Sequence, residues 1–344
     1  MNRLPSLLTA LVLFASPAAA DGLQKNRVPA AARWLAHLDV QAMRSSKLFA
    51  LLREESAKDG TDEMAEGLAE FRMFAGLDPT QDFRSVTLYS ASFSEKGCVA
   101  LLAGDSKIDH ALQEMKTLEN YRTTPAQGYV LHTWGDEGDT WYAYVHRPSG
   151  SEERVVVASQ DPAQVVRGIS VLEHESESLA QAAQPWIRAT PAAGSILFAA
   201  AGDSLKELGD IEPVSAVAKL TKAIVLDVGE DRGALNARVS LDTRTPEDAQ
   251  RIHQVLQGAV ALLGLAGGDA HDETHAKLQR LFEGLRLSVS DNRVDAVFRY
   301  DIETLVEDLK SLDEHDHDDA DSHEGSRKGH RGRKHHEKER EDGE

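Results

Sequence analysis

Apolar residues along this chain switch between two periods, and the switches outline its elements. Leu235, Ala237, Val239 and Leu241 alternate with Asn236, Arg238, Ser240 and Asp242, which predicts a strand with one dry and one wet face. Leu285, Leu287 and Val289 alternate, Asp291-Asn292 offers a turn, and Val294, Ala296, Phe298 and Tyr300 alternate back, predicting a hairpin. Further strands are expected at 33–38, 84–89, 97–103, 129–134, 140–145, 154–158, 196–200 and 222–227. Between them the spacing becomes helical, as in Ile108, Leu112 and Met115, in Ile252, Val255, Leu256 and Val260, and in Ile302, Leu305, Val306 and Leu309. One helix is expected from Val40 to about Glu55, and a second through Leu68, Phe71, Met73 and Phe74.

Start signals accompany these helices. Ser106-Lys107-Ile108-Asp109 and Thr245-Pro246-Glu247-Asp248 each put a hydroxyl at an N-cap and an acid three residues on, with Pro246 at the first helical position. Asp39 and Asp203 end strands just before helices, and Asp161-Pro162 opens another.

The order strand, helix, strand, strand, helix, strands, helix occurs twice. Val28-Pro29-Ala30-Ala31 precedes the first strand, and Thr190-Pro191-Ala192-Ala193 precedes its counterpart. The expected fold class is therefore α+β, with two similar antiparallel-sheet-plus-helix units of split βαβ, ferredoxin-like flavour. The units are expected at 21–172 and 190–312, joined by a helical connector at 173–189.

Composition adds the compartment. Arg3, the apolar run Leu4 to Ala15 and the small residues Ser16-Pro17-Ala18-Ala19-Ala20 predict a cleaved signal peptide at 1–20. That run falls short of the about 20 residues a membrane span needs, and no later segment is apolar enough to span. The formal net charge is −19, an acidity that argues against nucleic acid or anionic membranes as partners of the body. Cys98 is the one cysteine, so no internal disulfide can form. Its apolar surroundings predict a buried, inert thiol. The opening from Val28 to Asp39, Gly76-Leu77-Asp78-Pro79 and the segment from Asp82 to Tyr89 resemble uncharacterised exported proteins of environmental bacteria over most of residues 28–310. That resemblance implies no activity.

From Asp313 the composition changes. Residues 313–324 hold seven acids, three histidines and no basic residue, while 325–340 hold seven basic residues, three histidines and two acids. Such a segment buries too little apolar surface to offset its ordering entropy, so 313–344 is expected to be a disordered tail. Imidazole and carboxylate suit zinc, nickel and copper. The candidate ligands are His315, Asp316, His317, Asp318, His323, His330, His335 and His336. The tract is similar in composition to histidine-rich loops of zinc-handling transport proteins. A solubilising charged end, or pairing with cell-surface polymers, competes with metal uptake.

His271 and His275 lie four apart and would share one helix face, a pair able to chelate an ion. The zinc-protease motif needs Glu directly after the first His, and Asp272 stands there. The acidic turn 135–139 between Trp134 and Trp141 does not match an EF-hand loop, so a hairpin tip is expected. No nucleophile elbow, phosphate-cradling loop, paired-cysteine motif or dinucleotide fingerprint occurs. No catalytic residue is assigned and no cofactor is required. Three readings are open: an exported non-enzymatic binding or scaffold protein with a protein or cell-envelope partner, a periplasmic metal buffer or chaperone, and a hydrolase with a site between the two units.

Overall fold

The fold is taken from a computed structural model, which describes residues 22–59, 69, 72, 76–93, 97–136, 138–182, 184–187, 189–202, 214–266, 279–308 and 310. The strands are β1 (Trp34–Asp39), β2 (Phe83–Ser90), β3 (Val99–Gly104), β4 (Arg122–Ala126), β5 (Tyr129–Trp134), β6 (Trp141–His146), β7 (Arg154–Ser159), β8 (Ser195–Gly202), β9 (Thr221–Asp231), β10 (Ala234–Thr243), β11 (Leu285–Ser290) and β12 (Arg293–Asp301). The helices are α1 (Val40–Arg44), α2 (Lys47–Asp59), α3 (Lys107–Met115), α4 (Pro162–Leu172), α5 (Val214–Leu220) and α6 (Pro246–Ala266). All twelve strands lie in one antiparallel sheet in the order β11-β12-β10-β9-β8-β1-β2-β3-β7-β6-β5-β4. The class is thus α+β, as the alternation implied.

Composition explains which strands take the middle. β1 and β8 are apolar on both faces, so both faces must be covered. They pair with each other, Leu35 opposite Ala200 and Leu38 opposite Leu197. β11 is half-buried on one face and exposed on the other, and it forms an edge. The helices differ in how far apart the strands they connect lie in the sheet. β1 and β2 are direct neighbours, as are β8 and β9, whereas β7, β6 and β5 lie between β3 and β4, and β12 lies between β10 and β11, the strands that flank α3 and α6.

Several local expectations are corrected. The helix expected from Val40 to about Glu55 breaks at Ser45 and Ser46, because the Ser46 hydroxyl accepts from the Phe49 amide at 2.8 Å and restarts the helix as α2. The first amides of α2 also meet the Glu230 carboxylate, at 3.0 Å for Lys47 and 3.4 Å for Leu48. Ser106 makes no capping bond; Asp105 Oδ1 accepts from the Lys107 amide at 2.9 Å instead. Asp39, Asp161 and Thr245 do cap, accepting from the amides of Ala42, Ala163 and Asp248. The connector is not a helix. It runs through turns, a bridge between Pro29 and Ser178 and a 3-10 turn at Pro185–Ile187, since its backbone bonds go to the N-terminal segment, Ala30 to Glu177 and Leu179 to Val28. The second helix expected through Leu68 to Phe74 and Asp203 as a cap lie outside the described residues, apart from residues 69 and 72.

Side chains alternate across the sheet into two cores. On the front face Leu35, Tyr89, Val99, Leu101, Val157 and Phe198 pack under α4 and the N-terminal segment. Burial of each large aliphatic or aromatic side chain there contributes roughly 1.5–3 kcal/mol. On the back face Leu38, Val86 and Ile196 pack under α1 and α2, Phe83 and Val145 under α3, and Leu241 and Val294 under α6. The helical residues 302–308 also cover the back, through Ile302 and Val306 against Leu48 and Leu235.

Candidate functional site

A row of polar side chains interrupts the front core beside the central joint. The pleat of β1 points Leu35, His37 and Asp39 to the same face, and the register of β2 sets Tyr89, Thr87 and Ser85 directly across from them. Phe198 of β8 lies opposite His37 on the other side. His37, Thr87 and Ser85 are all buried, and His37 Nδ1 and Thr87 Oγ1 are hydrogen-bonded at 2.8 Å. Gln24 and Arg27, at the 3-10 turn Lys25–Arg27, roof the row.

A half-buried ion pair holds that roof. Arg27 grips Glu153 in a two-pronged bond, Nη1 to Oε1 at 3.0 Å and Nη2 to Oε2 at 2.6 Å. Arg84 Nη2 approaches the same carboxylate at 3.3 Å and donates to the Gly104 carbonyl at 2.9 Å. The Arg84 Nε is buried without a hydrogen-bond partner among the described residues. Between roof and row lies a cavity of about 20 Å³ lined by Gln24, Arg27, His37, Ser85, Thr87 and Val155, with Leu101 and Ala103 at its floor. That is room for one water molecule with several polar partners, and too little for an organic substrate. A hydroxyl occupies His37 Nδ1, the position that a carboxylate holds in a nucleophilic triad.

The other titratable groups stand apart. Burial lowers the proton affinity of His132, whose Nδ1 meets the Tyr121 hydroxyl at 2.8 Å, and of His146. Cys98 is free and half-buried rather than fully buried, and that burial pushes its thiol up to about 11. The acidic segment beyond Trp134 is the turn between β5 and β6, with Gly135 and Gly138 at positive φ. Among the described residues no group of three His, Cys, Asp or Glu side chains is placed to hold a metal ion.

No protein-family model matches this chain, and no curated protein matches it. Solved structures similar to it include the bacterial protein TP0453 in two crystal forms. Form III is 10% identical and covers 86% of this chain and 100% of its own, with a TM-score of 0.44. Form IV is 9% identical and covers 84% and 97%, with a TM-score of 0.39.

The candidate ligands His271 and His275 lie outside the described residues, as do His315, Asp316, His317, Asp318, His323, His330, His335 and His336. The signal segment 1–20 lies outside them too. Among the described helices none is long and apolar enough to cross a membrane. His37 has no chemistry-bearing partner at a motif spacing in the sequence. Its partner Thr87 is fifty residues away, and only strand register brings the two together.

Proposed function

We propose that this chain is an exported, non-enzymatic binding or scaffold protein whose histidine- and aspartate-rich tail takes up divalent transition metals weakly. The observation that carries the reading is the unbroken twelve-strand order, in which β1 and β8 weld two half-sheets into one body with cores on both faces. Such a body offers broad faces and two edges to a protein or cell-envelope partner, while its central polar row leaves space only for water.

The two halves are read as copies of one unit. The order β1-β2-β3-β7-β6 runs outward from the joint as β8-β9-β10-β12-β11 does on the other side. α3 follows β3 as α6 follows β10. The first copy carries the extra hairpin β4-β5, and its closing helix α4 lies on the front, whereas 302–308 lies on the back. Export rests on the charge, apolar run and small residues of the first twenty positions.

Metal uptake is assigned to the tail because closely spaced imidazoles and carboxylates can wrap an ion without a prebuilt cage. The test is calorimetric titration of zinc and nickel into the chain and into a version ending at Leu312. Heat from the longer version alone is the expected result. Binding that survives truncation would move the site to His271 and His275, and no binding by either version would remove metal from the function.

A further inference from the structure

The sheet ends in two edges of different character. β4 is polar and carries Pro125, which has no amide to offer, so that edge is blunted against further pairing. β11 reads Leu285-Arg286-Leu287-Ser288-Val289-Ser290, with no proline, and only β12 pairs with it among the described residues. In the first half the matching strand β6 is covered by β5.

The helix above this edge is apolar on both sides. Toward the sheet, α6 buries Ala249 and Ile252 against Leu241 and Val294, with Leu256 and Val289 packed alongside. Facing away, Val255 is 53% exposed and Leu262 is 68% exposed, seven residues apart on one stripe with exposed Gly258 and Ala259 between them. Apolar side chains exposed beside a core-facing stripe leave a patch that a partner can cover. Among the described residues, the edge without a second strand partner and the exposed stripe belong to the same end of the molecule.

We propose that a second copy of this chain covers that end across a twofold axis, β11 pairing antiparallel with its own counterpart and α6 packing beside α6. Self-pairing needs a register that keeps faces matched and like charges apart. Centring the axis on Leu287 does both: Leu285 meets Val289, Leu287 meets itself, and Arg286 meets Ser288 rather than a second Arg286. Six strand residues span about 20 Å and a 21-residue helix about 31 Å, so the joined layers present roughly 400 Å² in projection. That is half the size of a standard interface, which buries about 800 Å² per partner, and the size of a weak, concentration-dependent association. The pairing continues the joint that β1 and β8 already make inside the chain. With a net charge of −19 on each copy, association is opposed by repulsion and strengthens as salt rises.

Sedimentation velocity on the full chain tests this over roughly 1–100 μM, where an interface of this size with a charge penalty is expected to be half-formed. Two variants probe the two layers. Ser288→Lys sets a cation opposite Arg286 of the other copy, while within its own copy it lies across from Asp295. Val255→Glu with Leu262→Glu charges the stripe at exposed positions. The expected result is a species of doubled mass that grows with concentration and salt and falls at least tenfold in association with either variant, while circular dichroism is unchanged. A chain that stays monomeric throughout overturns the proposal, and so does a dimer that neither variant weakens. Monomers that bind lipid vesicles through Val255 and Leu262 would overturn it in favour of a membrane occupant.

Discussion

The Tyr300 hydroxyl donates to Asp308 Oδ2 at 2.6 Å, and the carboxylate that receives it is almost fully buried. Arg280 Nη2 reaches the other oxygen at 2.5 Å. Three separate segments, β12, the helical residues 302–308 and the helical turn before β11, are thereby tied through one acid. Asp308→Ala removes the acceptor and leaves the Tyr300 hydroxyl facing apolar surroundings. The expected loss is about 2–4 kcal/mol in urea unfolding. Tyr300→Phe, which keeps the acid paired with Arg280, is expected to cost less than half of that.

The opposite holds at the other buried tyrosine. The Tyr89 hydroxyl is buried with no hydrogen-bond partner among the described residues, and it lies 2.9 Å from where a Cβ on Gly168 would stand. Tyr89→Phe is therefore expected to be neutral or stabilising by up to about 1 kcal/mol, because an uncompensated hydroxyl is removed from the core. Gly168→Ala forces its methyl group against Val157 Cγ1 at 2.7 Å and is expected to cost about 1–3 kcal/mol. The two changes should couple, the phenylalanine recovering part of the alanine penalty, and a double-mutant cycle by chemical denaturation measures this.

How far the sequence spoke depends on the distance over which each feature is decided. The alternation of Leu235 to Leu241 against Asn236 to Asp242 is local, and the strand follows it, its wet face carrying Arg238 beside Asp295. The 285–300 hairpin is equally local, with Asp291 in the left-handed turn. β4 escaped notice because Arg122-Thr123-Thr124-Pro125-Ala126 shows no apolar alternation and holds a proline beside its two β-branched threonines, and β5 is its one strand partner among the described residues. The joint of β1 with β8 was beyond reach for another reason. Trp34 and Ala201 are distant in sequence, and a pattern of apolar residues names a face without naming its neighbour. The His37 and Thr87 pair rests on a second such register, that of β1 with β2.

Alkaline pH should weaken the fold. Burial pushes the Cys98 thiol from 9.0 up to about 11 and also raises the Tyr89 phenol. A hydrogen bond to Glu173, with burial adding to it, pushes Tyr129 up to about 12. Each group keeps its proton longer when folded than when unfolded. Above pH 9 the unfolded chain therefore binds fewer protons, and the stability present below that pH is lost as pH rises toward 11. Cys98 and Tyr89 each contribute a slope of up to about 1.4 kcal/mol per pH unit, and the more exposed Tyr129 contributes less because solvent screens it. Melting temperatures taken between pH 8 and pH 11 should fall throughout, and Cys98→Ala should remove the earliest part of the fall. A flat profile would contradict the burial of these groups.

Helix starts give a sharper test, because sequence and structure name different residues. At α1 both name Asp39, whose Oδ1 takes the Ala42 amide at 2.6 Å, so Asp39→Ala is expected to cost about 1–2 kcal/mol. At α3 the sequence points to Ser106, yet that residue already has helical φ and ψ, and Asp105 Oδ1 accepts the Lys107 amide. A residue already inside the helix cannot turn its side chain back on the first amides, whereas one outside it can. Asp105→Ala should then cost about 0.5–1 kcal/mol by chemical denaturation while Ser106→Ala stays within about 0.5 kcal/mol of the parent. The reverse ranking would return the cap to Ser106 and shift the start of α3 by one residue.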